Sequence, residues 1–112
     1  MKIAIPVVQG ALCLHFGHCQ EFALFDVDPE KKKIIDSRTL PPPAHEPGAL
    51  PKWLGGQGVN VVIAGGMGIR AQQIFEQSGI QVVIGAPAKS AREVVQAYLE
   101  GRLAVGDNVC DH

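Results

Sequence analysis

The chain has 112 residues, 46% of them hydrophobic and 19% charged, and a formal net charge of -1. That length and apolar content suffice for one domain with its own core and are unlike a disordered chain. The slightly acidic balance speaks against a general nucleic-acid binder, and no stretch approaches the roughly 20 apolar residues of a membrane-spanning helix.

Residues 2–8, "KIAIPVV", are rich in branched aliphatics and predict a buried first strand with Pro6 near its end. Pro6 and Gly10 interrupt this apolar start, and no small-residue cleavage site follows, so a signal peptide is not expected. Three cysteines, an odd count, fit reduced thiols better than a disulfide framework, and the expected compartment is the cytoplasm. After the loop "CLHFGHC" (13–19), "EFALFDVD" (21–28) and "KIIDSRTL" (33–40) predict a β-hairpin closed by a turn at "PEKK". The lysines at 31–33 are expected to be a solvated turn. "PPPAHEP" (41–47) is a stiff, extended loop, because proline fixes φ.

Residues 48–58 predict a short helix with Leu50, Trp53 and Leu54 on one face, ended early by Gly55 and Gly56. An apolar strand over 60–66 leads through glycines into an amphipathic helix over 68–79, closed by Gly79. A strand over 80–87 and a helix over 89–103 complete the fold. Ser90 and Glu93 form a capping-box pattern at the start of that helix, and Gly101 ends it. The order β-β-β-α-β-α-β-α predicts an α/β fold, a five-stranded mixed sheet with three helices against its faces. It is read as a single domain over 1–104 with a flexible tail over 105–112.

Three places carry chemistry. In "CLHFGHC", Cys13, His15, His18 and Cys19 put four soft or borderline ligands in seven positions, with Gly17 allowing a tight turn. The loop follows the first strand, where open α/β sheets place ligands. The spacing is not the paired C-x-x-C of a structural zinc site, and loop packing with solvent-facing His18 and Cys19 is the plain alternative. In "GGMGIR", the glycines Gly65, Gly66 and Gly68 either aim backbone amides and a helix N-terminus at an anion, with Arg70 adding a guanidinium, or simply make a tight strand-to-helix connection. Met67 is either an exposed thioether lining that turn or a packed side chain. Third, Cys110 and His112 end the tail as a two-ligand arm, against the plain alternative of a disordered tail, and His45 is a further lone ligand candidate, against that of a surface loop histidine. Asp26 and Asp28 are expected to be solvated. Residues 2–8 contain no acidic residue, which excludes a nuclease centre on the first strand.

Taken in order, "MKIAIPV", "HFG", the pattern H-x-x-G-A-x-P from His45, "VVIAGGMGIRA" and "SGIQVVIGA" resemble the dinitrogenase iron–molybdenum cofactor biosynthesis family over residues 1–104. The resemblance implies a ribonuclease H-like fold and binding of a metal–sulfur cofactor or its precursor, carried rather than turned over. It places the family's site on His15, Phe16 and Gly17, on His45, and on Gly65, Gly66, Met67 and Gly68 with Arg70. The chain departs in having His18 where many members carry arginine, and in Cys13, Cys19, Cys110 and His112.

The leading expectation is therefore a small non-enzymatic carrier of an iron- and/or molybdenum-containing metal–sulfur cluster. Zinc or copper is the alternative for the same donors. Expected partners are the cargo itself and metallo-cofactor assembly proteins, with no nucleic acid and no membrane, and the chain is expected to be a monomer or weak homodimer. Two other readings compete. Cys13 and Cys19 would form a reversible disulfide in a redox or regulatory module, or a Cys–His pair would act as a nucleophile in a hydrolase.

Overall fold

The computed structural model describes residues 1–14, 21–41 and 49–106. The first strand, β1 (Lys2–Val8), is the centre of the sheet, and its five consecutive buried residues Ile3–Val7 explain its apolar run. A two-residue strand, β2 (Ala11–Leu12), turns back on the end of β1. The hairpin strands β3 (Glu21–Asp28) and β4 (Lys33–Leu40) follow. Then come α1 (Ala49–Gly56), β5 (Val61–Ile63), α2 (Ile69–Gln77), β6 (Gln81–Val83) and α3 (Ala91–Leu99).

The strands run β4-β3-β1-β5-β6, with β2 paired to β1 off this path. β3 is antiparallel to β1, with Ile3 opposite Phe25 and Pro6 opposite Phe22. β5 is parallel to β1, and β6 to β5. The hairpin is thus joined to a βα half at one shared strand. Alternation along β1 divides the core, because successive side chains point to opposite faces. Ile3, Ile5 and Val7 join Phe25, Val94 and Val95 beneath α3. Ala4 faces the other way, into a cluster with Phe22, Leu54, Met67 and Phe75 that also takes in Trp53 and Ala71 of α1 and α2. Trp53 seats α1 by an edge-to-face contact with Phe22, centroids 5.8 Å apart.

The hairpin, its turn and the three helices lie where the sequence predicts them. The sheet differs in having six strands, because β2 adds a pair that an apolar pattern of two residues cannot announce. The strands read over 60–66 and 80–87 shorten to Val61–Ile63 and Gln81–Val83. β5 pairs with β1 only at Ile3 and Ala4; beyond that point β2 occupies the same edge, with Val7 opposite Leu12. The Cys13 amide also donates to the Pro6 carbonyl at 2.8 Å. Pro6 has no N–H to return that bond, and it is tolerated in a central strand because the partner there is this short return rather than β5.

Helix ends follow the expected chemistry. Ser90 Oγ accepts the Glu93 amide at 3.2 Å, the first half of the capping box. Gly79 and Gly101 are left-handed (φ 78° and 73°), and the next amides, Ile80 and Arg102, reach back to Phe75 and Ala97. This is the Schellman closure at both helices. No helix among the described residues is long and apolar enough to cross a membrane.

Candidate functional site

The parallel strands β1, β5 and β6 all end at one edge of the sheet, the edge at which open α/β sheets expose their connecting loops. Three stretches of chain meet there. The first is Leu12–Leu14, leaving β2 toward the loop at 15–20. The Leu12 amide is held by the Lys89 carbonyl at 2.9 Å, and Cys13 by Pro6. By register with Pro6, Cys13 lies on the side of the sheet that carries Phe22 and Met67. It is half-buried.

The second stretch is the glycine turn between β5 and α2. Gly65 packs directly under the first: a Cβ placed there would sit 2.8 Å from Leu14 Cδ2 and 3.1 Å from Leu14 Cα. Only glycine lets these two backbones approach so closely. The chain leaving the first strand and the glycine turn are therefore neighbours as far as Leu14.

The third is the stretch after α3. Gly85 is left-handed (φ 84°), and its amide donates to the Gly65 carbonyl at 3.0 Å while its carbonyl accepts the Gly106 amide at 2.7 Å. A side chain at Gly85 would run into the backbone of Gly106. A relay of three glycines thus carries the C-terminal segment onto the glycine turn. Gly85 and Gly106 escape a motif search because neither belongs to a known glycine pattern. The one sequence signal is the "IGAP" at 84–87 just after an apolar strand.

The turn itself is not uniform. Gly65 and Gly66 are buried, whereas Gly68, Ile69 and Arg70 are exposed. Of the two readings of Met67 the packed one holds and the exposed thioether does not: it is 1% exposed and packs in the core below α2. Its carbonyl accepts Gln72 Nε2 at 2.9 Å, which ties the turn to the helix. Gly68 is the N-cap of α2 and offers no side-chain cap, so no N-cap side chain covers the first-turn amides, and Arg70 in that turn is exposed. Three exposed apolar residues stand on the three stretches, Leu14 (38% exposed), Ile69 (61%) and Val105 (55%). The sequence reading named none of them. Together they give this edge an apolar rim around polar backbone.

Of the ligand candidates, Cys13 is the one inside the described residues. His15, His18, Cys19, His45, Cys110 and His112 lie outside them. Among the described residues no group of three His, Cys, Asp or Glu side chains converges. Asp26 is exposed, with Oδ1 3.9 Å from Lys2 Nζ at the opposite end of β1, and belongs to the surface as expected.

Known proteins share this architecture. The family model described as dinitrogenase iron-molybdenum cofactor matches residues 1–101. An uncharacterised protein of Methanocaldococcus jannaschii is 34% identical over 106 residues, 92% of this chain and 89% of that one. The crystal structure of the protein PH0822 superposes with a TM-score of 0.85 at 28% identity, covering 94% of each chain. The apo form of the orange protein from Desulfovibrio gigas shares the fold, with a TM-score of 0.73 at 22% identity, covering 96% of this chain and 93% of that one. The chain belongs to the dinitrogenase iron-molybdenum cofactor family.

Proposed function

We propose that the protein is a carrier for an anionic metal–sulfur cofactor or its precursor, containing iron and/or molybdenum, which it holds and passes on without turnover. The observation that carries this reading is the meeting of Leu12–Leu14, the glycine turn and Gly106 at one strand edge in a chain of this family. The strand path, with one antiparallel strand beside the central one, supports the ribonuclease H-like description of the fold.

The residues present suit such a cargo. A sulfide-rich cluster is anionic and has a polarisable, poorly hydrated surface. The α2 first-turn amides at Gly68–Arg70 and the Arg70 charge would offset its charge, and Leu14, Ile69 and Val105 would lie against its sulfides. Gly65 and Gly66 act through the close backbone approach they permit. Metal ligands come from the thiolates and imidazoles of Cys13, His15, His18 and Cys19, with His45 as a further candidate. Cys110 is four residues beyond Gly106, a reach of up to about 14 Å for extended chain. That span lets Cys110 and His112 close over cargo seated at the glycine turn and withdraw when a recipient assembly protein offers ligands. Release is then ligand exchange, with no redox change required of the protein.

The test is retention. Purified without oxygen and incubated with tetrathiomolybdate, or with ferrous iron and sulfide, the protein should keep metal and colour through desalting. A variant with Cys13, His15, His18 and Cys19 all changed to alanine should lose them. Undiminished retention by that variant overturns the ligand assignment, and no retention by the parent protein with either cargo overturns the carrier reading.

A further inference from the structure

The net charge of -1 hides a strong asymmetry. Of the ten lysines and arginines, six (Lys31, Lys32, Lys33, Lys89, Arg92 and Arg102) line a single groove of about 960 Å³ that runs along α3. Glu93 is the one carboxylate among the described lining residues, and Glu100 offsets Arg102 beside them, so the described part of the groove carries a local excess of positive charge. Among the described residues, Arg102 is the only one of the six in an ion pair, with Glu100 at 2.8 Å. The chain brings these charges together from three distant places: the β3–β4 turn, the start of α3 and the segment after it.

The lysine turn is built rather than loose. Asp28 Oδ1 accepts the amides of Glu30 and Lys31 at 3.0 and 3.1 Å. Lys32 is left-handed (φ 55°), a conformation a non-glycine residue adopts at a cost, and its carbonyl accepts Gln96 Nε2 from α3 at 2.8 Å. The turn that looks like a solvated lysine run in sequence is thus fixed against the helix. Like charges held together destabilise a fold in isolation. Between the charged walls the floor is aliphatic, with Ile34, Val94, Ala97 and Leu103.

From this arrangement we infer that the α3 groove is a docking site for an acidic peptide segment of a partner protein, one that alternates carboxylates with aliphatic side chains. Charge complementarity selects an acidic occupant. The floor decides between a peptide and a nucleic acid: among the described residues no aromatic side chain lines the groove to stack a base, whereas aliphatic side chains suit a peptide. α3 has nine residues, about 13 Å of helix, which four or five residues of extended peptide would span. One end of the groove, at Lys89, hydrogen-bonds through its carbonyl to Leu12, which leads directly into Cys13. A partner seated there stands beside the strand-end site. The inference rests on charge and geometry alone and holds whether or not the cargo reading does.

The experiment uses the full chain without cargo and a fluorescein-labelled peptide of alternating glutamate and leucine, read by fluorescence anisotropy. Saturable binding is expected at low salt, weakened severalfold at about 0.3 M salt as the groove's field is screened. The triple variant Lys31→Glu, Lys33→Glu, Arg92→Glu should lose about tenfold or more in affinity, while Lys52→Glu, exposed on α1 across the sheet, should bind like the parent. Circular dichroism verifies that each variant is folded, and Lys89→Glu with Arg102→Glu gives a second pair should the triple variant unfold. No saturable binding by the parent, binding at the parent's affinity by both charge-reversed variants, or tighter binding of an oligouridine than of the peptide would each overturn the proposal.

Discussion

At the strand-end edge, where Gly65, Gly85 and Gly106 touch, close approach is bought by removing side chains, and what is left to face a ligand is amide, carbonyl and an apolar rim. Along α3 the opposite holds. There the backbone is satisfied within helix and turn, and long cationic side chains do the presenting. The two regions meet at Lys89 and Ser90, yet they should fail independently. A backbone site tolerates almost no substitution where the approach is closest, at Gly65 and Gly85, because a Cβ there has nowhere to go. A charge site tolerates many substitutions, each with a small and salt-sensitive effect.

The comparison breaks most visibly at Gly85. Gly85→Ala forces a left-handed alanine and pushes the Gly106 backbone away, with loss of the Gly106–Gly85 hydrogen bond. The expected cost is about 2 kcal/mol, a fall in Tm on the order of 8 °C, measured by calorimetry. Metal retention should fall as well, whereas acidic-peptide affinity at the α3 groove should stay at the parent value. A variant as stable as the parent would show that the glycine relay does not anchor the C-terminal segment.

Gly65→Ala comes next. Here φ is not left-handed and the penalty is steric alone: Leu14 Cδ2 can swing aside, but Leu14 Cα, 3.1 Å from the new methyl, has to move with its backbone. The expected loss is about 1–2 kcal/mol. The more telling readout is cargo retention, which should drop further than the modest change in thermal stability implies.

These two substitutions show what sequence conveyed and what it withheld. The β1 apolar run, the 21–40 hairpin, the Ser90 cap and the Gly79 and Gly101 stops were legible because each is written in residues near one another. The adjacency of the chain leaving the first strand and the glycine turn could be inferred from two parallel neighbouring strands, and Leu14 against Gly65 bears it out as far as Leu14. The role of Gly85 was not legible, since its constraint comes from a backbone 21 positions later in the numbering. Nor was the groove, whose charges lie at 31–33, 89, 92 and 102 and become one field only after β4 and α3 pack together. Met67 stayed open between exposed and packed for a related reason: its neighbours are glycines, and only the turn's geometry sends its side chain inward.

Ser90 sits on the boundary between the regions and sharpens it. It caps α3 and lines the groove. Ser90→Ala should cost about 1 kcal/mol from the lost cap, and Ser90→Asp should restore the stability while placing a carboxylate in the groove. Peptide affinity should then separate the two variants: near parental for alanine, reduced for aspartate. Equal affinities would mean that the groove's charge is not what the peptide reads.

The smallest effect is expected at Glu100. Arg102 and Gln96 hydrogen-bond its carboxylate and hold its pKa below the usual glutamate value. A carboxylate depressed in the folded state adds stability above its unfolded pKa, and that stability is lost as pH falls through the folded one. The group is solvent-exposed, so the contribution is slight and screened. Glu100→Gln should therefore change Tm barely at neutral pH and not at all once the pH lies below the lowered pKa. At the groove its effect has the other sign. Without Glu100 the Arg102 guanidinium is released toward the groove, and affinity for the acidic peptide at low salt should rise by about twofold. That gain should disappear at high salt. A gain indifferent to salt would point to a shape effect at the end of α3 rather than to its charge.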